Sequence, residues 1–68
     1  MSIIDRFGIE EIKKVDNQVI FLIEDTFFFE RWILDFEIEY MMKHFVDGSF
    51  DQVIISVDDY EKIAKFMY

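Results

Sequence analysis

Two stretches of the chain carry a readable alternation of apolar and polar positions, and a third carries a dense mixture of both. "IEEIKKV-DN-QVIFLIE", Ile9 to Glu24, predicts two strands around a tight turn, because Asp16 and Asn17 tolerate the positive φ that a two-residue hairpin requires. The first arm also admits a short helix, since Ile9, Ile12 and Val15 are spaced by three. In the second arm, Val19 to Ile23 are five consecutive apolar residues, which predicts a central strand covered on both faces. Further on, "QVIISV" is a β-rich run leading directly into "DDYEKIAKFMY", where Asp58 can cap a helix start and Glu61 can return the bond. The helix predicted from about Asp58 turns Tyr60, Ile63, Ala64 and Met67 toward the sheet and leaves Phe66 on the opposite face.

The dense stretch is "TFFFERWILDFEIEY", Thr26 to Tyr40. On a helix its polar positions Glu30, Arg31, Asp35, Glu37 and Glu39 would scatter around the circumference. On a strand they sort: Trp32, Leu34, Phe36, Ile38 and Tyr40 point one way, and Asp35, Glu37 and Glu39 the other, with Ile33 the only exception. The pattern therefore predicts strand over Leu34 to Tyr40, followed by two helical turns in "YMMKHFVDG" that Gly48 ends. With no repeat, proline or linker-like tract, residues 1–68 read as one domain of the α+β class, a small antiparallel sheet with a C-terminal helix packed on it.

Composition changes this picture in one respect. Hydrophobic residues make up 53% and aromatics 19% of only 68 residues, including nine Phe, three Tyr and one Trp, too much apolar area for so small an interior. The surplus predicts a homodimer built on Phe27, Phe28, Phe29 and Phe66, because successive strand residues face opposite ways and one sheet face cannot cover all of Phe27-Phe28-Phe29. Cysteine is absent, so neither a disulfide nor a thiolate metal site can staple the chain.

Charge narrows the partners. Fifteen acids against seven bases give −8, which disfavours nucleic acid and anionic membranes and favours a basic protein surface. No apolar run reaches the roughly 18 residues of a membrane span. The opening "MSIIDRFGIEE" is too acidic for a secretory signal, so the expected location is cytoplasmic. On the predicted strand, Asp35, Glu37 and Glu39 would stand about 6.6 to 6.8 Å apart. Such a line serves either as a solvated face that discourages aggregation, or as an imitation of nucleic-acid phosphates, whose repeat is of the same order. Glu24, Asp25 and Glu30 lie close to the trio in sequence, and Asp47, Asp51, Asp58 and Asp59 cluster around the later loop and helix start. Acids in the first turn of a helix are also stabilised by its dipole.

In size, charge, absence of cysteine and mixture of aromatics with carboxylates, the chain resembles the small acidic phage-encoded proteins that mimic DNA. The resemblance implies an inhibitor that occupies the basic DNA-binding surface of a host protein, such as a histone-like protein or a DNA-processing enzyme, often as a dimer in the host cytoplasm. It transfers no site residue and no architecture. The other class of function compatible with the composition is an interaction or regulatory protein, immunity- or antitoxin-like, whose affinity comes from an apolar surface. Salt separates the two, since a complex resting on many carboxylates weakens steeply with ionic strength.

Catalysis and cofactors are not expected. His44 is the single histidine, and Ser2, Ser49, Ser56 and Thr26 are the hydroxyls available to it, a poor set for a nucleophile–base pair. In "DGSFDQVIISVD", Asp47, Ser49, Asp51 and Asp58 match positions 1, 3, 5 and 12 of a calcium loop, but Gln52 stands where the turn needs glycine, so turn and strand chemistry account for it better. Met41, Met42 and Trp32 read as core or interface.

Overall fold

The computed structural model describes residues 2–45, 48 and 50–68. The hairpin forms as its turn residues require: β1 (Ile9–Val15) and β2 (Gln18–Ile23) pair antiparallel around Asp16 and Asn17, with Asp16 in the left-handed region at φ 55°. The spacing of three between Ile9 and Ile12 has a structural cause. The register slips between Ile9 and Glu11, so that Ile9 opposes Ile23 and Ile12 opposes Phe21. This bulge at Glu10 carries both isoleucines to the same face and removes the helical alternative.

β4 (Asp51–Ser56) runs antiparallel to β2, and β3 (Met41–Lys43) antiparallel to β4, giving the order β1-β2-β4-β3. With α1 (Ile3–Phe7), α2 (Thr26–Leu34) and α3 (Val57–Ile63), the architecture is α+β, as the pattern predicts, with the final helix against the sheet. One cluster forms the core: Val19, Phe21, Ile23, Val53 and Ile55 from the sheet meet Phe7, Phe29, Ile33, Ile38, Ile63 and Met67. Phe21 is its centre, with Phe29 at 5.0 Å and Tyr60 at 5.9 Å between ring centroids.

β2 is central, as expected, but it is not covered on both faces. Val19, Phe21 and Ile23 are buried, whereas Ile20 and Leu22 are only half-buried on the other side. Cross-strand neighbours Ile54, Lys13 and Gln52 shield that side in place of a second helical layer. The shortest dimension of the molecule, 18 Å, matches one sheet and one layer of helices.

The dense stretch overturns its prediction. Residues 26–34 are helix, and no strand runs from Leu34 to Tyr40. Asp25 caps the helix, its carboxylate accepting from the Phe28 N–H at 3.5 Å, and Phe29, Trp32, Ile33 and Phe36 then recur at the spacing of one helical face. The end is built with equal definition. The Ile38 N–H donates to the Ile33 carbonyl at 3.4 Å, and the Glu37 N–H to that of Leu34 at 3.0 Å. Glu37 sits at φ 58°, and Ile38 is buried beside Ile33. That is a Schellman motif with a glutamate in the position glycine usually takes, and a residue at positive φ cannot belong to a strand.

Met41–Lys43 form β3 where two helical turns were expected after Tyr40. Gly48 has positive φ, 83°, but terminates no helix, and Val46, Asp47 and Ser49 lie outside the described residues. The cap of α3 is Ser56, which accepts from the Asp59 N–H at 3.1 Å, and Asp58 and Asp59 occupy the first turn. The stripe runs as predicted through α3 and the turn after it: Ile63 and Met67 are buried, Tyr60 and Ala64 half-buried, and Phe66 exposed. A 3₁₀ turn, Ala64–Phe66, ends the regular structure.

Candidate partner-binding surface

Because successive residues of a helix step around it by about 100°, the three phenylalanines of α2 do not share an environment. Phe29 is fully buried, contrary to its expected place in a dimer contact, because it belongs to the inward stripe. Phe27 and Phe28 remain more than half exposed, as does Leu34 on the next turns. The two outer rings pack edge to face, with centroids 5.2 Å apart and planes at 78°. The Arg31 guanidinium lies 5.2 Å from the Phe27 centroid, within cation–π range.

Beside this pair, α1 and α2 enclose an open cleft of about 400 Å³ lined by Arg6, Phe7, Phe28, Arg31, Trp32 and Asp35. Gly8, at φ 64°, ends α1 and lets the chain turn into β1 with Phe7 set against Phe29 and Trp32, at centroid distances of 5.8 and 5.9 Å. Both arginines of this acidic chain converge there. Among the described residues neither forms an ion pair, and Arg6 instead lies over the Phe7 ring at 5.5 Å. Sequence reasoning picked out Phe27 and Phe28 but missed the arginines. The signal within reach was the stripe Phe29, Trp32, Ile33 and Phe36 behind a capping Asp25, which by itself places Phe28 and Arg31 on the outer surface.

The acidic residues do not form the predicted line. Asp35 borders the arginine cleft, Glu37 occupies the left-handed turn, and Glu39 borders a depression with Tyr40, Met41, Gln18, Ser56 and Asp59. All three are exposed, but at three separate places, since the backbone between them turns rather than extends. Others have local tasks. Glu30 accepts a 2.8 Å hydrogen bond from the Tyr40 hydroxyl, and Asp51 accepts from the Thr26 hydroxyl at 3.1 Å while its other oxygen is 3.1 Å from His44 Nδ1. Asp59 pairs with Lys62 at 3.0 Å. Asp25 serves as the α2 cap, and Glu24 and Asp58 are exposed.

Glu30 also sets the chemistry of Tyr40. Its hydrogen bond, together with burial and its negative charge, holds the phenol above the ordinary value. Tyr60 is raised chiefly by burial, with a smaller contribution from Tyr68. Among the described residues no group of three or more His, Asp or Glu side chains is placed to hold a metal ion, and no helix is long and apolar enough to cross a membrane. Compared with known proteins, the chain matches no family model, no curated protein and no solved structure.

Proposed function

We propose that this protein is a binding module that seats the outer face of α2 in a partner protein and selects a basic partner by its own acidity. The observation that carries the reading is the exposure of Phe27, Phe28 and Leu34 on one helix, beside a cleft that adds Trp32 and two arginines free of ion pairs among the described residues. Exposed aromatics and arginine are the residue types that dominate binding energy at protein interfaces. Acidic side chains around them steer encounter with a positive surface more than they add affinity.

The charge supports a nucleic-acid-binding protein as the partner, and with it the inhibitor reading, in which the chain covers the surface that DNA would occupy. Of the acids in the described residues, only Asp59 pairs with a lysine, and Asp51 contacts the His44 imidazole. The remainder act as a diffuse field rather than a ruled copy of a phosphate backbone, so the apolar contact of α2 must supply specificity.

Capture from bacterial lysate on the immobilised chain, followed by titration of the purified captured protein, separates the contributions. F27A/F28A is expected to weaken binding by about a hundredfold, two aromatic anchors being lost. D35N/E37Q/E39Q is expected to weaken it only severalfold and to make its salt dependence shallower. If the aromatic variant binds as the parent does while moderate salt or DNA displaces both, the α2 reading fails and a charge-only decoy takes its place.

A further inference from the structure

β1 is a free edge. Among the described residues it pairs only with β2, and Glu10, Glu11, Lys13, Lys14 and Val15 are all exposed along it. None of its four charged side chains takes part in an ion pair among the described residues. Their order, Glu-Glu-Ile-Lys-Lys, reads as its own complement when the strand is reversed about Ile12. We propose that two copies of the chain join antiparallel along β1, on a two-fold axis through Ile12, into one continuous eight-stranded sheet.

The geometry allows few registers, and the charges choose among them. In an antiparallel pair the residues directly opposite each other both turn their backbone groups toward the partner or both away. Outward-facing residues of one strand alternate, so a two-fold axis must pass through a residue and not between two. An axis through Glu11 sets that carboxylate against itself, and axes through Lys13 or Lys14 set ammonium groups against themselves. The axis through Ile12 sets Glu11 against Lys13 and brings Glu10 toward Lys14, twice each. Opposite charges facing across strands stabilise the pairing, and like charges disfavour it. The same residues therefore favour one self-pairing and resist the others, where an edge of uniform sign would resist all.

Apolar surface backs the joint. The bulge at Glu10 confines the regular ladder to Glu11–Lys13, leaving Glu10 and Lys14 to meet at its ends through their side chains. On the helical side Ile12 stands between two depressions, and Tyr68, 84% exposed, lines both of them, with Ile4 in one and Tyr60 in the other. The axis through Ile12 brings these depressions of the two copies together, so each Tyr68 gains an apolar neighbour across the joint. Phe27, Phe28 and Leu34 border neither depression, and this pairing stands or falls independently of the α2 reading.

Sedimentation of the chain and its charge variants tests it, with far-UV circular dichroism verifying that each variant is folded. The parent is expected to be dimeric at micromolar concentration. K13E/K14E and E10K/E11K each place like charges at all four facing positions, and each should raise the dimer dissociation constant by about tenfold or more. Mixed in equal amounts, the two should form a heterodimer, since every facing pair is again Glu opposite Lys. The fully exchanged variant E10K/E11K/K13E/K14E, unchanged in net charge, should dimerise like the parent. A monomeric parent, a K13E/K14E chain that dimerises as well as the parent, or folded charge variants that fail to associate on mixing would each overturn the proposal. If F27A/F28A dissociates the dimer while the charge variants do not, the joint lies on α2 and not on β1.

Discussion

The two sides of α2 are made of the same material and put to different uses. Phe29 and Ile33 are wholly buried, Phe29 against Phe7 and Phe21, while Phe27, Phe28 and Leu34 stand more than half exposed. Residue type does not separate them, since phenylalanines adjacent in sequence fall on opposite sides. Angular position on the helix does, and the sheet below decides which side is covered. An apolar residue inside contributes stability, and the same residue outside is left free to contribute affinity.

The largest expected effect tests that division. Phe29→Ala should cost about 3–5 kcal/mol, because it opens a cavity in the centre of the core. Phe27→Ala and Phe28→Ala should each stay within roughly 0.5 kcal/mol, as surface changes do. Urea denaturation of the three variants measures the contrast, and a Phe28→Ala loss approaching that of Phe29→Ala would erase it.

Next in size is Gly8, which positions Phe7 on the inner side. An added Cβ there would meet the Glu24 Cβ at 2.9 Å while the backbone stays at φ 64°. Gly8→Ala should therefore destabilise by about 1–2 kcal/mol in thermal or urea unfolding. Near-UV circular dichroism should report loosened packing of Trp32, whose ring lies 5.9 Å from that of Phe7.

The end of the helix offers a change of the opposite sign. Glu37 holds a left-handed conformation that glycine adopts without strain, so Glu37→Gly should stabilise the fold by up to about 1 kcal/mol. The same substitution in a strand would destabilise, so the sign of the change in urea midpoint distinguishes the two structures of this segment. Smallest is a pH effect. Tyr40 and Tyr60 both have phenols held above the ordinary value of 10.0. Below that value the neutral phenol is present in both folded and unfolded chains, and the stabilisation is complete. As pH rises through the higher folded values, the unfolded chain has already released its protons and the stabilisation is lost. Stability should decline above about pH 10, and Tyr40→Phe should flatten part of that decline.

The hairpin and α3 were legible because local chemistry agreed with tertiary placement. Asp16 and Asn17 accept the turn, Val19 to Ile23 favour the strand, and the spacing of Tyr60, Ile63 and Met67 matches a helix lying on a sheet. The segment from Thr26 to Tyr40 misled because two structures are written in succession there. When Glu37 and Glu39 are placed on the same helical wheel as Glu30 and Arg31, the apolar stripe blurs. Removing them, as the Schellman turn does, leaves Phe29, Trp32, Ile33 and Phe36 in register. The acidic trio lost its line for the same reason, and the arginine cleft was hidden because Arg6 and Arg31 meet only when α1 folds against α2.

By itself, then, the sequence determined the α+β class, the hairpin turn, the final helix and the excess of apolar and acidic surface, all of which follow from residues within a few positions of one another. Only the tertiary structure decided that Phe29 is core and Phe28 surface, that Ile9 and Ile12 share a face across a bulge, and that β1 is left as an edge. Those outcomes depend on which elements compete for the single covered face of the sheet, a contest between parts of the chain far apart in sequence.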